Sequence, residues 1–214
     1  MSQVVEAAAA VALKALGGRP GDTNRYALDR AQRLVRSIDA IAAATPEAER
    51  PERLDLAKIA AMYSCLPYLA GGTPGNRGTA RDDAAELAAD QLKDRLGAEE
   101  LELTLRILRE HQTKATKLPE ARLLSDAISL EDFGLIGLWN QTRAHHAAGK
   151  TLDQLLRLWR TQHEYGYWET RLHEGFHFAA ARDAAQRRND ALHTIFDRMS
   201  REQAATDIGR SGRS

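Results

Sequence analysis

The sequence predicts an all-α fold. Apolar residues recur at spacings of three and four along nearly all of the 214 residues, as they do on the buried face of a helix. Runs that alternate apolar with polar β-branched residues, which would indicate strands, are absent from the sequence. Glycines, prolines and polar steps divide the pattern into segments of helical length, and the chain is therefore expected to be a helical bundle.

Each predicted helix ends at one of these breaks. Residues 1–16 are apolar and rich in alanine, and they form the first predicted helix. The remaining helices are expected at residues 24–44, 54–69, 80–96, 99–114, 120–128, 131–148, 152–172 and 176–206. Gly175 is the expected joint between the last two, and residues 71–76 are expected to form a glycine-rich loop.

Length and composition favour one domain over residues 1–206, followed by a disordered tail at residues 207–214. The 30 basic and 30 acidic side chains cancel, so neither nucleic acid nor an anionic membrane is an expected partner. No apolar run reaches the roughly 20 residues that cross a bilayer. A lone Cys65 excludes an internal disulfide and fits a cytoplasmic protein, and no cofactor is expected.

Two stretches of the sequence resemble HD-domain phosphohydrolases. The segments ILREH, ending at His111, and PEARLLSDAISLEDFGLIG, which contains Asp126, resemble the family's helix that ends in His and the short Asp-Ala helix that follows it. The segment FHFAAARDAAQRRNDALHTIFDRM is similar to the family's terminal helix. The resemblance covers most of residues 24–199. It implies an HD-domain-like helical bundle in which His111 and Asp126 occupy positions of metal ligands.

The chain departs from that family at its other metal ligands. Ser64 and Cys65 stand where the family has its adjacent His-Asp pair, and Arg30 stands where an upstream His is expected. Two remaining ligands are too few to hold a divalent metal tightly, so no bound metal is expected. A guanidinium in that pocket would supply a permanent positive charge in the metal's place and could bind an oxyanion through two hydrogen bonds.

We therefore assign candidate catalytic roles to Arg30, His111 and Asp126. Ser64, Cys65, Tyr26 and Lys114 are candidate substrate-binding residues. Because Cys65 lies in an apolar segment, it is expected to be an inert structural thiol.

Two features towards the carboxyl end suggest other roles. His173, Glu174 and His177 match the H-E-x-x-H pattern of zinc proteases, although Gly175 interrupts the helix that the pattern requires. Residues 159–178 are rich in aromatic side chains, of which Trp159, Trp168 and Phe176 are expected in the core. The rest of the segment is a candidate surface for a protein partner or a second copy of the chain.

Three functions remain open. The first is a metal-independent enzyme acting on an anionic small molecule, such as a lyase that eliminates or displaces a phosphate or sulfate leaving group. The second is a non-catalytic degenerate HD domain that binds and stabilises a protein partner. The third is a metal-dependent phosphohydrolase completed by Asp29, Asp82 or Asp83.

Overall fold

A computed structural model describes residues 22–65 and 77–208, together with Ala10, Val11 and Lys14. Within these residues all regular structure is helical, so the predicted all-α class is confirmed. The rest of predicted helix 1–16, the predicted loop at residues 71–76 and residues 209–214 of the predicted tail lie outside the described residues.

The described residues form nine α-helices and one short 3₁₀ helix, Glu47–Glu49. The α-helices are α1 (Asp22–Ala44), α2 (Leu54–Tyr63), α3 (Arg77–Leu92), α4 (Ala98–Glu110), α5 (Pro119–Leu130), α6 (Gly134–Ala147), α7 (Leu152–Glu164), α8 (Tyr167–Glu174) and α9 (Ala179–Gln203). In this described part, no helix combines the length and the apolar character needed to cross a membrane.

The prediction of one continuous helix at residues 152–172 is wrong, because the structure has two helices there, α7 and α8. Gly166 lies between the two helices in the left-handed region, with φ +62°, and its N–H donates to the carbonyl of His163. Glycine adopts this conformation at helix ends with little steric cost. Gly175, the joint that the sequence suggested, ends α8, and the final helix begins three residues later than predicted, at Ala179.

The contacts of the chain group it into two compact units, residues Met1–Ala127 and Ile128–Ser214, called here the first and the second unit. One domain over residues 1–206, with the helix arrangement of an HD domain, stays a prediction.

Helix α2 is central to the first unit and packs against α1, α3 and α4. Six of its ten residues are buried, and they cover more than half of the circumference of the helix. Helix α1 contributes an apolar stripe at three- and four-residue spacing, formed by Ala27, Ala31, Leu34 and Ile38, all of them buried. Removing these apolar surfaces from water is the main stabilising contribution to this unit.

Polar contacts fix the start of α2 to two later helices. The Arg53 guanidinium lies 2.8 Å from a carboxylate oxygen of Glu100 in α4 and also pairs with Asp55. Buried Glu120, in the first turn of α5, accepts a hydrogen bond of 3.2 Å from the backbone N–H of Arg53. The side chains that α4 and α5 carry are thereby held in a fixed register with α2.

In the second unit, α9 packs against α6, α7 and α8. Its core joins α7 to α9 through Leu155, Leu156, Trp159, Leu192 and Phe196. A second group of aromatic rings centres on Phe133, which lies 5.3 Å from Trp168 and 5.6 Å from Phe176 between ring centroids. The predicted burial of Trp159, Trp168 and Phe176 is confirmed.

Candidate functional site

Arg30 lies on α1 among the apolar side chains of that helix, with only 8% of the residue exposed. Its Nη1 donates to Cys65 Sγ at 3.9 Å, just beyond the end of α2. A guanidinium remains charged at every physiological pH, so this contact brings a permanent positive charge inside the first unit. The structure therefore brings together two of the residues that the sequence suggested, Arg30 and Cys65.

His111 follows the last residue of α4 and is also buried, with 5% exposed. Burial is the main cause that lowers its pKa from 6.5 to about 4, and the positive charges of Arg81 and Arg30 lower it further. In the neutral ring, Nδ1–H donates to the backbone carbonyl of Leu108 at 2.8 Å. The other nitrogen, Nε2, then carries the lone pair that can accept a proton.

Arg81, in the second turn of α3, is a site residue that the sequence analysis missed. Its charge acts on His111 together with that of Arg30. Its Nε is buried and, within the described part of the chain, has no hydrogen-bond partner; the nearest carboxylate oxygen, on Asp82, lies 3.8 Å away. The sequence pattern of α3 does not indicate that the charge of Arg81 acts on His111. We call Arg30, Cys65, Arg81 and His111 the guanidinium site.

Asp126 is fully buried on α5, with 0% exposed. A carboxylate removed from water in this way is costly unless positive charge or hydrogen bonds compensate it. Two buried cationic or polar groups, Arg30 and His111, belong to the same unit. The catalytic role of Asp126 stays a prediction.

The remaining predicted residues differ in exposure. Ser64 is partly buried; its hydroxyl donates to the carbonyl of Ala61 at 2.7 Å and lies 3.9 Å from Cys65 Sγ. Tyr26 is partly buried one helical turn before Arg30, and the Arg33 guanidinium lies 5.9 Å from its ring centroid. Lys114 is exposed in the segment between α4 and α5. Substrate binding by these four residues, Cys65 included, stays a prediction.

The carboxylates suggested as additional metal ligands are exposed. Asp29 pairs with Arg33 one turn along α1, and Asp82 and Asp83 lie on the exposed side of α3. Among the described residues, the one group of three side chains close enough to share a metal ion lies in the second unit and includes neither His111 nor Asp126.

A shallow groove of about 500 Å³ lies between the end of α4 and the start of α5. Arg106, Glu110, Thr116 and Lys117 contribute to its lining. Thr116 donates to Glu110 at 2.6 Å, so the polar groups of the groove largely satisfy one another. Its lining residues include no member of the guanidinium site, and the groove is therefore not the predicted pocket.

The H-E-x-x-H pattern does not form a zinc-protease helix. Helix α8 ends at Glu174, Gly175 caps it, and His177 lies in the turn before α9. The pattern requires both imidazoles on one face of a continuous helix, and the chain breaks that helix between them.

Three comparisons of the chain, with models of protein families, with curated proteins and with solved structures, found no match. The fold and the site define an all-α protein whose first unit contains buried guanidinium and imidazole groups. The resemblance to HD-domain phosphohydrolases stays a hypothesis that rests on the sequence segments quoted above.

Proposed function

We propose that the guanidinium site binds an anionic small molecule without a metal ion and acts on it as a lyase. The observation that carries the proposal is the buried Arg30, whose Nη1 lies 3.9 Å from Cys65 Sγ. In the resemblance to HD-domain phosphohydrolases, Cys65 belongs to the position of the family's adjacent His-Asp metal ligands. A fixed guanidinium in a partly dry site attracts a phosphate or sulfate group more strongly than one in water does.

The electrostatics of His111 support the same function. Burial is the main cause of its lowered pKa, and the positive charges of Arg81 and Arg30 lower that pKa further, so positive charge acts at the ring. A bound anion would cancel part of that charge and raise the pKa of His111, making the imidazole a stronger base once the ligand is present. Arg30 and His111 are both buried, with 8% and 5% exposed, so the proposal requires local opening for a ligand to reach them.

The proposed reaction is an elimination. His111 Nε2 accepts the proton from a carbon atom adjacent to the C–O bond, the electron pair of that C–H bond forms a double bond, and the phosphate or sulfate leaves with the C–O electron pair. Arg30 and Arg81 stabilise the charge that grows on the leaving group. Asp126, which is buried in the same unit, is the alternative group that accepts the proton in this scheme.

Inorganic phosphate and sulfate are suitable probes because the substrate is unidentified. Calorimetric titration of chelator-treated full-length protein should give saturable binding, and Arg30→Gln should weaken it at least about tenfold, as expected for the loss of a charge-assisted contact. Arg36→Gln, an exposed position on the same helix, is the matched control. Equal binding by wild type and Arg30→Gln, or none by wild type, would refute the proposal.

A second function, binding of a protein partner, is supported by a different observation. Leu135 and Trp139 lie one turn apart on α6 and are 63% and 57% exposed, and Tyr165 is more exposed than either. Contiguous exposed apolar side chains are typical of interaction surfaces. Sedimentation of the purified protein over a range of concentrations tests this, since a Trp139→Ser variant should associate less than wild type if the surface is an interface.

A further inference from the structure

His163, Glu169 and His193 come together in the second unit, although His193 is 24 residues beyond Glu169 in the sequence. One possible ligand atom from each lies within 4.8 Å of the other two. His163 Nδ1 is 3.8 Å from a carboxylate oxygen of Glu169, and the two imidazole rings are 4.7 Å apart between centroids. Three helices contribute, since the residues lie on α7, α8 and α9 respectively.

The buried side of this trio packs against aromatic rings. Trp159 stacks on His163 with centroids 5.6 Å apart, and it meets the edge of His193 at 5.2 Å. Trp159 is itself stacked at 4.3 Å on Phe196, which is fully buried. Buried Asn189 lies 3.2 Å from His193 Nε2. The two rings therefore rest on a packed aromatic base. For His193 to bind a metal ion through Nδ1, the Asn189 amide turns so that its Oδ1 accepts a hydrogen bond from Nε2–H, which is the outer contact that metal-binding histidines make.

Gly166 brings the third residue to the trio. With φ +62° it turns the chain between the end of α7, which carries His163, and the first turn of α8, which carries Glu169. A continuous helix, which the sequence pattern favoured, would separate residues 163 and 169 by more than one turn and place them on different faces. The break that the sequence analysis missed is thus what makes the trio.

We propose that His163, Glu169 and His193 bind Zn²⁺. Zinc–ligand bonds of about 2.0–2.2 Å place tetrahedral ligands roughly 3.3 Å apart, so the present separations of 3.8 to 4.8 Å close with movements of about 1 Å. The side chains of His163 and Glu169 are 50% and 56% exposed and can make that movement. Two imidazoles and one carboxylate suit zinc, whereas Mg²⁺ and Ca²⁺ prefer oxygen ligands throughout.

Three protein ligands leave a fourth position open, and the exposure of the trio places that position at the surface, where water can occupy it. The bound ion would also join α7, α8 and α9, because each helix supplies one ligand. Zinc that binds only the folded state should raise the thermal stability of the protein.

The test is calorimetric titration of ZnCl₂ into full-length protein without an affinity tag, after treatment with a chelator. We expect about one ion per chain with a dissociation constant in the micromolar range, a melting temperature that rises on addition of ZnCl₂, and no response to MgCl₂. His163→Ala, Glu169→Gln and His193→Ala should each weaken zinc binding by at least about tenfold.

His173→Ala and His177→Ala are matched controls, since both are exposed histidines of the same unit and belong to the H-E-x-x-H pattern. They should bind zinc as wild type does. Loss of binding in these two variants, unchanged binding in the first three, or no binding by wild type at roughly a hundred micromolar ZnCl₂ would each overturn the proposal. Far-UV circular dichroism of every variant shows whether a loss of binding comes from unfolding.

Discussion

The candidate site residues of the two units differ in their exposure. The first unit buries Arg30, His111 and Asp126, whereas the second exposes His163 and Glu169 together with the apolar residues of α6. Burying charge destabilises a fold unless partners compensate it, so the first arrangement indicates a specific local function. The second arrangement costs little and leaves the side chains available for an ion or a partner.

The largest effect is expected at Arg30. Replacing it with Ala removes a buried side chain and leaves its polar neighbours without compensation, which should lower the free energy of unfolding by about 2–4 kcal/mol. Arg36→Ala, at an exposed position of the same helix, should change it by less than about 0.5 kcal/mol. Urea denaturation of both variants measures the difference in the free energy of unfolding. Equal values for the two variants would contradict the burial of Arg30, on which the comparison of the two units depends.

His111 should make stability depend on pH in the acid range. Because burial lowers its pKa from 6.5 to about 4, the folded protein binds fewer protons than the unfolded chain between these values. This contribution is complete above pH 6.5 and is lost as the pH falls from 6.5 through 4, by a total on the order of 3 kcal/mol.

The measurement is the free energy of unfolding of wild type and His111→Gln across that pH range. The difference between the two curves isolates His111 from the carboxylates, which titrate in both proteins. His146→Gln, an exposed histidine, should follow wild type. A difference curve that is flat from pH 6.5 to 4 would show that His111 is not buried in its neutral form.

Gly134 tests the packing of the second unit. It has φ +70°, and a Cβ added there would lie 2.9 Å from Arg188 Cβ, so Gly134→Ala should destabilise the protein by about 2–3 kcal/mol. Gly149 has a similar φ of +66° with nothing within 4 Å, and Gly149→Ala should cost only about 1 kcal/mol. Thermal unfolding of both variants measures the two effects. A larger destabilisation by Gly149→Ala than by Gly134→Ala would contradict the prediction.

The smallest effect is expected at the exposed surface of α6. Leu135→Ser and Trp139→Ser should each change the free energy of unfolding by less than about 0.5 kcal/mol, because both side chains are already in contact with solvent. Trp168→Ser, at a buried ring of the same unit, is the opposing control and should be strongly destabilising. If Trp139→Ser lowered the free energy of unfolding as much as Trp168→Ser does, the α6 surface would be covered in solution.

The helices were predictable where local chemistry decides their ends. Thr45 and Pro46 end α1 and α7 begins at residue 152, as the sequence indicated, and the structure adds that Thr151 caps the start of α7. The break at Gly166 was not predicted because the apolar pattern continues across it, and the left-handed turn depends on a single backbone angle. Apolar periodicity reports which face is buried and carries little information about where the chain turns.

The sites were predictable only in part, for a similar reason. Arg30 and Cys65 were proposed as neighbours from the resemblance, and they lie in contact. The effect of the Arg81 charge on the pKa of His111, and the contact between the rings of His163 and His193, depend on how separate helices pack, and no spacing in the sequence encodes them. Which charged side chains of different helices lie close together is decided by the tertiary structure.

The most direct test of the guanidinium site is the NMR titration of the His111 imidazole with and without inorganic phosphate. In the free protein its pKa should be about 4. Saturating phosphate should raise that pKa in wild type and leave it unchanged in Arg30→Gln, because the bound anion offsets the positive charge beside the ring. A pKa of His111 that phosphate does not move in wild type would contradict an anion-binding guanidinium site.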